Sequence, residues 1–162
     1  ERDNVVLVRS MTKNYALTGL RLGYAIGPQS LIDRLRALQP DWSVNSLAQR
    51  AGIAALVDTA YLPLARKTVF ESKEFLAPRL SVMGLNVLHS EANFLLVAVG
   101  NATAWRTQLL KRSLVVRDCT SFGLPECVRI GLRLLPDCRK LADAIEELIV
   151  QPGLAPQGRS FA

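Results

Sequence analysis

Histidine occurs once in the 162 residues and cysteine three times, which leaves little from which to build a metal centre. His89 has no second imidazole with which to share an ion. Cys119, Cys127 and Cys138 are odd in number and lack CxxC spacing. All four read as structural, with Cys138 on an apolar helix face, and unpaired thiols fit a reducing cytoplasm. Long apolar runs are missing too, because Arg, Asp, Lys or Glu interrupts each one short of a membrane span. There is no initiator Met and no signal-like start. The chain opens Glu1-Arg2-Asp3 and runs straight into a strand, which looks like a cut within a larger protein. Aromatics are scarce at 6%, and the 20 Lys and Arg are scattered. Nucleic acid calls for clustered basic residues interleaved with aromatics, so the net charge of +6 favours small phosphorylated or carboxylated partners. No internal repeat is visible. What is present is an ordinary globular composition, 49% hydrophobic and 21% charged. The length suffices for one well-buried domain, or one domain and part of another.

The most informative stretch is VVLVRSMTKNYALTGLRLGYAIGP, residues 5 to 28. Val5 to Val8 reads as a buried strand. It delivers Ser10 and Lys13 at its end, and Gly19, Gly23 and Gly27 punctuate a second apolar run. A lysine fixed in a turn between two buried strands sits where desolvation favours the neutral amine. Only that form attacks a carbonyl, as a Schiff-base lysine must. The Ser10 hydroxyl and the Arg21 guanidinium could both bind one phosphate, the arginine in fork geometry.

Further on, Ser30-Leu-Ile-Asp33 predicts a capping box opening a helix striped by Leu31, Leu35 and Leu38, stopped at Gln39-Pro40. A turn over 40–46 contains Trp42 and Asn45, and Ser46 starts a small-residue helix. A long helix is predicted from Tyr61 to Met83, with Pro63 in its first turn, Pro78 kinking or ending it early, and Gly84 as C-cap. Then come a short strand at Val87-Leu88, a stronger one from Asn93 to Val99, and a helix capped by Asn101 or Thr103. Strands over Leu114–Val116 and Cys127–Leu132 follow. A final helix opens at Pro136-Asp137, with Leu141, Ile145, Leu148 and Ile149 on one face and Asp143, Glu146 and Glu147 away from it. Residues 151–162 read as a loose tail.

Arg117 lies at the end of one of these strands and Arg129 inside the next. Arginine within an apolar strand is costly unless an anion or carboxylate meets it. Taken alone, Arg129 is expected in a buried salt bridge with one of the 14 acids.

The pattern Ser10-x-x-Lys13, seven residues, then Arg21-x-Gly-Tyr24 resembles the cofactor segment of the fold-type I, class I/II aminotransferases. The resemblance implies pyridoxal 5′-phosphate as cofactor, Lys13 as its Schiff-base lysine, and Ser10 and Arg21 as holders of its phosphate. It covers residues 3 to 150, about the C-terminal half of a family member. The implied architecture is α/β: the C-terminal part of an aspartate-aminotransferase-like large domain plus a small α/β C-terminal domain. Residues 1–60 would close the truncated large domain, 61–84 form the interdomain helix, 85–150 the small domain and 151–162 the tail. Groups expected in the other half are a glycine-rich phosphate turn, a ring stacked on the pyridine, and an acid for its nitrogen.

By the same resemblance, Arg129 in Cys-Val-Arg-Ile-Gly is the arginine that grips a substrate α-carboxylate. Arg117 in Val-Val-Arg-Asp is the substrate-phosphate arginine of the histidinol-phosphate aminotransferase subgroup. That subgroup is also matched by Trp42-Ser-Val-Asn-Ser-Leu-Ala48 and Asn93-Phe94. The string Arg117-Asp-Cys-Thr-Ser-Phe-Gly-Leu-Pro125, with Arg133, is more similar to threonine-phosphate decarboxylase of the cobalamin pathway. The expectation is therefore a cytoplasmic, homodimeric enzyme on a phosphorylated amino acid or amine, with decarboxylation leading and histidinol-phosphate-type transamination as the alternative. A non-catalytic binding or dimerisation module stands as the reading from another class, its open strand edges favouring association.

Overall fold

The computed structural model describes residues 3–151 and residue 154, so the expected tail over 151–162 lies almost wholly outside the described residues. The chain forms two compact units, one up to Ala65 and one from Arg66 onward.

In the first unit, β1 (Leu7–Ser10) pairs antiparallel with β2 (Gly23–Ile26), setting Leu7 opposite Ile26 and Ser10 opposite Gly23. The one-turn helix α1 (Met11–Asn14) and a 3₁₀ turn (Thr18–Leu20) join them. Burial of Val5 to Val8 is not observed: Val5, Leu7 and Val8 are exposed, as is Ile26. The reason is topological. Among the described residues β1 and β2 form a sheet of only two strands, and such a ribbon buries little on either face.

Helix α2 (Gln29–Ala37) begins one residue ahead of the expected capping box. Pro28, with φ −56°, presets the entry, so Ser30 already lies inside the helix and no side chain caps it. Gln29 instead donates to Asp33 at 2.7 Å. Its apolar stripe stays largely uncovered, with Leu35 and Leu38 exposed. Helix α3 (Ser46–Val57) is capped by Asn45, whose Oδ1 accepts from the Ala48 N–H at 2.8 Å. Small residues let α3 come close: a Cβ at Gly52 would run into the Leu22 side chain and lie 3.4 Å from the Met11 sulfur.

Helix α4 (Tyr61–Val82) runs from the first unit into the second. It continues through Pro78 rather than ending there. Proline removes one N–H and only one further turn follows it, while Leu76 and Leu80, fully buried, hold that turn to the core. Gly84 (φ 83°) closes the helix; the Leu85 N–H returns to the Leu80 carbonyl at 3.2 Å and the Gly84 N–H to Ser81 at 3.0 Å.

The second unit is a four-stranded antiparallel sheet in the order β3-β4-β6-β5: β3 (Asn86–Leu88), β4 (Phe94–Ala98), β5 (Arg117–Asp118) and β6 (Cys127–Gly131). Helices α5 (Ala102–Leu110) and α6 (Leu135–Ile149) complete it. Alternation puts Leu95 and Val97 of β4 and Val128 and Ile130 of β6 into one core, with Leu76, Leu80, Trp105, Leu109, Ile145 and Leu148. The strand expected over Leu114–Val116 is displaced. Leu114 N–H returns to the Leu109 carbonyl at 3.0 Å to finish α5, so ladder pairing starts only at Arg117. Asn101 caps α5, accepting from Ala104 N–H at 3.0 Å. On α6, Leu141, Ile145 and Leu148 face the core while Asp143, Glu146 and Glu147 face out. Ser72, buried on α4, donates to the Arg133 carbonyl at 2.6 Å. No helix among the described residues is long and apolar enough to cross a membrane.

Leu80 is fully buried in this core. Leu80→Ala is expected to cost about 2–5 kcal/mol. Urea unfolding should show a lower midpoint with an unchanged slope; an unmoved midpoint would contradict the core assignment.

Candidate active site

The hairpin turn of the first unit is organised by Met11. Its N–H donates to the Leu22 carbonyl at 3.0 Å, closing the turn, and its carbonyl accepts from Tyr15 N–H at 3.1 Å. Met11 and Thr12 are buried, at 2% and 8% exposure, so the next residue of α1, Lys13, is turned outward and exposed. The sequence places Lys13 in a buried setting. Here the surroundings that would desolvate it are not supplied by these strands, which are themselves exposed. Ser10 ends β1 as the N-terminal flank of α1, and its hydroxyl makes no cap. Gly23 stands opposite it, where any Cβ would sit 2.8 Å from the Arg9 carbonyl oxygen; the strands can close there only over glycine. Arg21 adopts a left-handed backbone, φ 51° and ψ 44°, and donates from Nη1 to the Thr18 carbonyl at 3.2 Å. A non-glycine residue held in that region is strained, which is common where side-chain direction serves function. Tyr15 stacks on Tyr61, centroids 6.1 Å apart.

This hairpin therefore carries an amine, a hydroxyl and a guanidinium within one turn. Among the described residues neither the Ser10 hydroxyl nor the Lys13 amine has a hydrogen-bond or ion-pair partner. That donor set fits a phosphorylated aldehyde: a primary amine for the carbonyl and two donors for the phosphate.

In the second unit, Arg117 and Arg129 are direct cross-strand partners of β5 and β6. Among the described residues the buried salt bridge expected for Arg129 is not formed. Strand alternation buries Val128 and Ile130 and turns Arg129 outward, so no apolar burial has to be compensated. Among the described residues no acid lies within salt-bridge distance of either guanidinium. Arg117 donates to Ser121 Oγ at 3.0 Å. Arg129 lies over the Phe94 ring at 5.2 Å, and both arginines lie over Phe122, at 5.3 Å for Arg117 and 5.8 Å for Arg129. Arg133 differs, pairing through Nε with Asp137 at 2.8 Å. A cavity of about 330 Å³ near Arg133 and Lys140 has neither Arg117 nor Arg129 in its lining.

The turn after β5 is fastened by Asp118. Its carboxylate accepts from Thr103 Oγ1 at 2.6 Å and from Thr120 N–H and Oγ1 at 2.8 and 2.6 Å. Those bonds, the one from Thr103 first, hold its pKa at about 2. Burial is the main cause that pushes Cys127 up to about 11, with the Glu126 charge adding to it, as suits a structural thiol. All three cysteines are free and buried. His89 is not packed as a structural residue: it is exposed and pairs with Glu91 at 2.8 Å. The described residues include no cluster able to hold a metal ion. Sequence reasoning did not find the roles of Phe94, Phe122 and Asp118. A ring five residues after Arg117, inside an Asp-x-Thr turn, was the signal available.

The family model for aminotransferase class I and II matches residues 1–145, and the chain belongs to that family. Its architecture is that of the aspartate-aminotransferase-like fold, and enzymes of this family use pyridoxal 5′-phosphate. The chain is 36% identical over 149 residues to a histidinol-phosphate aminotransferase of Haloarcula marismortui, covering 92% of this chain and 41% of that protein. It superposes with a TM-score of 0.79 and 28% identity on the histidinol-phosphate aminotransferase of Clostridium acetobutylicum, covering 88% of this chain and 45% of that one. The L-threonine-O-3-phosphate decarboxylase of Porphyromonas gingivalis gives a TM-score of 0.79 at 26% identity, over 93% of this chain and 48% of that one. The chain thus spans less than half the length of these relatives.

A depressed Asp118 pKa adds stability that is present above its ordinary value of 3.8 and is lost as pH falls through about 2. Thr103→Val removes the leading bond and should move the Asp118 midpoint up toward 3.8, read by carboxyl-carbon NMR titration. An unmoved midpoint would show that the Thr103 bond is not its cause.

Proposed function

We propose that this chain is the C-terminal portion of a pyridoxal-phosphate-dependent, cytoplasmic, homodimeric aminotransferase acting on a phosphorylated amine or amino acid, of the histidinol-phosphate type. In this reading residues 1–60 finish the cofactor-binding domain, 61–84 link it, and 85–150 form the small domain. The observation that carries the choice of substrate class is the pair Arg117 and Arg129, adjacent across β5 and β6 with no acid of the described residues on either. Two unneutralised guanidinia suit a ligand or ligand set bearing two anions. The preference for transamination is supported by relatives such as that of Haloarcula marismortui, which reverses the lean that Arg117–Pro125 gives on its own.

Bound pyridoxal phosphate would supply an electron sink for the bonds at the substrate's α-carbon. Lys13 would hold the cofactor covalently through its amine, and Ser10 and Arg21 would hold its phosphate. The Lys13 amine, when free, would serve as the base that takes the substrate's α-proton and later returns one. Arg117 would bind the substrate phosphate. Histidinol phosphate has no carboxylate, so Arg129 would grip the carboxylate of the amino acid or oxo acid with which the amine is exchanged. A second reading, decarboxylation of a phosphorylated amino acid, is favoured by the likeness to the Porphyromonas gingivalis decarboxylase and by the string 117–125. The two divide on product: an oxo compound from histidinol phosphate, or carbon dioxide from O-phospho-L-threonine.

Borohydride reduction of the chain with pyridoxal phosphate, followed by peptide mapping, should place the label on Lys13, and Lys13→Ala should abolish it. Label spread evenly over the lysines would sink the assignment of Lys13 and favour a non-catalytic module. In the enzyme that carries this chain, Arg129→Ala should weaken binding of the carboxylate partner by about 2–5 kcal/mol, measured by titration. Unchanged affinity would remove Arg129 from that role.

A further inference from the structure

Phe122 is an exposed aromatic on a tightly fastened turn. The residue is 58% exposed, so core packing does not account for it. Its backbone is tied: the Phe122 N–H donates to the Cys119 carbonyl at 2.8 Å, Gly123 N–H to Thr120 at 3.0 Å, and Leu124 N–H to Cys119 at 3.2 Å. Asp118 locks the start of the same turn through Thr120. The ring so held is shared by the guanidinia of Arg117 and Arg129, which are directly opposite on neighbouring strands. Like charges in that relation repel, and two free guanidinia would swing apart into water. An acid between them would hold them and cancel the charge an anionic ligand needs. An aromatic face attracts both and cancels neither.

We propose that Phe122 is a positioning residue that orients Arg117 and Arg129 together for the anionic groups of the substrate, Phe94 supporting Arg129 from the neighbouring strand. The inference rests on the arginine roles proposed above and adds a specificity-determining residue to them. Its chemical content is that the π face matters more than bulk. Tyrosine at this position preserves the function, whereas leucine, apolar but without a ring, does not.

The test follows the Arg117 and Arg129 Nε–H resonances by NMR in the chain, free and titrated with O-phospho-L-threonine and with L-histidinol phosphate. Wild type, Phe122→Leu, Phe122→Tyr and Arg129→Ala are compared. In the free chain, Phe122→Leu should remove the ring-current shift of both arginine signals and raise their mobility, while Phe122→Tyr leaves them near wild type. Affinity should fall about tenfold in Phe122→Leu and recover in Phe122→Tyr. If Arg129→Ala lowers affinity for O-phospho-L-threonine but Phe122→Leu binds it as wild type, the positioning role is overturned and the arginine assignment stands. If wild type and Arg129→Ala bind O-phospho-L-threonine, the ligand that carries a carboxylate, alike, the arginine assignment itself fails, and the proposal with it. Arginine signals unchanged in free Phe122→Leu would overturn the proposal whatever the ligands do.

Discussion

The register of β6 between β4 and β5 is the constraint on which the second unit depends. Pairing Leu96 with Arg129 and Val97 with Val128 on one side, and Arg117 with Arg129 on the other, fixes the face to which every side chain of β6 points. Val128 and Ile130 then enter the core while Arg129 faces outward beside Arg117. A slip of one residue would bury the arginine and expose both apolar neighbours, so the stability of the core and the placement of the charge pair are one choice. The same packing that holds the sheet together delivers the two cations to one spot.

Electrostatics separates these arginines from others in the unit. Arg79 meets Asp143 and Glu146 at 2.9 Å each, Arg112 meets Glu147 at 3.6 Å, and Arg133 meets Asp137 at 2.8 Å. Such partly exposed pairs contribute modestly to stability and leave little charge for a ligand. Arg117 and Arg129 have a hydroxyl and two aromatic rings for company instead. Leaving two like charges adjacent and unneutralised costs stability.

The hairpin of the first unit follows another logic. Met11 and Thr12 are buried so that Lys13 projects, and Gly23 lets the strands close beside Ser10. What the hairpin lacks in this chain is cover: its strands are exposed, as are Leu35 and Leu38 of α2, and Trp42 is 98% exposed. The role proposed for the Lys13 amine would call for a desolvated setting, which the hairpin's own residues do not create.

Local sequence was enough for most of the helices, because proline entries, C-caps and 3.6-residue stripes are short-range: Pro63, Gly84 and the apolar face of α6 act within a few residues of themselves. The spacing of Ser10, Lys13 and Arg21 was likewise legible, since all three lie on one hairpin. Other readings were not, the burial of Val5 to Val8 and the cap at Ser30 among them. Of the kink or early stop expected at Pro78, the stop did not occur, the burial of Leu76 and Leu80 holding the last turn. The strand expected at Leu114–Val116 gave way to the hydrogen bond that finishes α5. And an apolar neighbourhood in sequence suggested a buried Arg129, whereas exposure is decided by which face of the sheet meets the helices. By itself the sequence determined the order of elements, the lysine hairpin and the family. Only the tertiary structure decided that Arg117 and Arg129 stand side by side over one ring, because strand pairing joins residues that are remote along the chain.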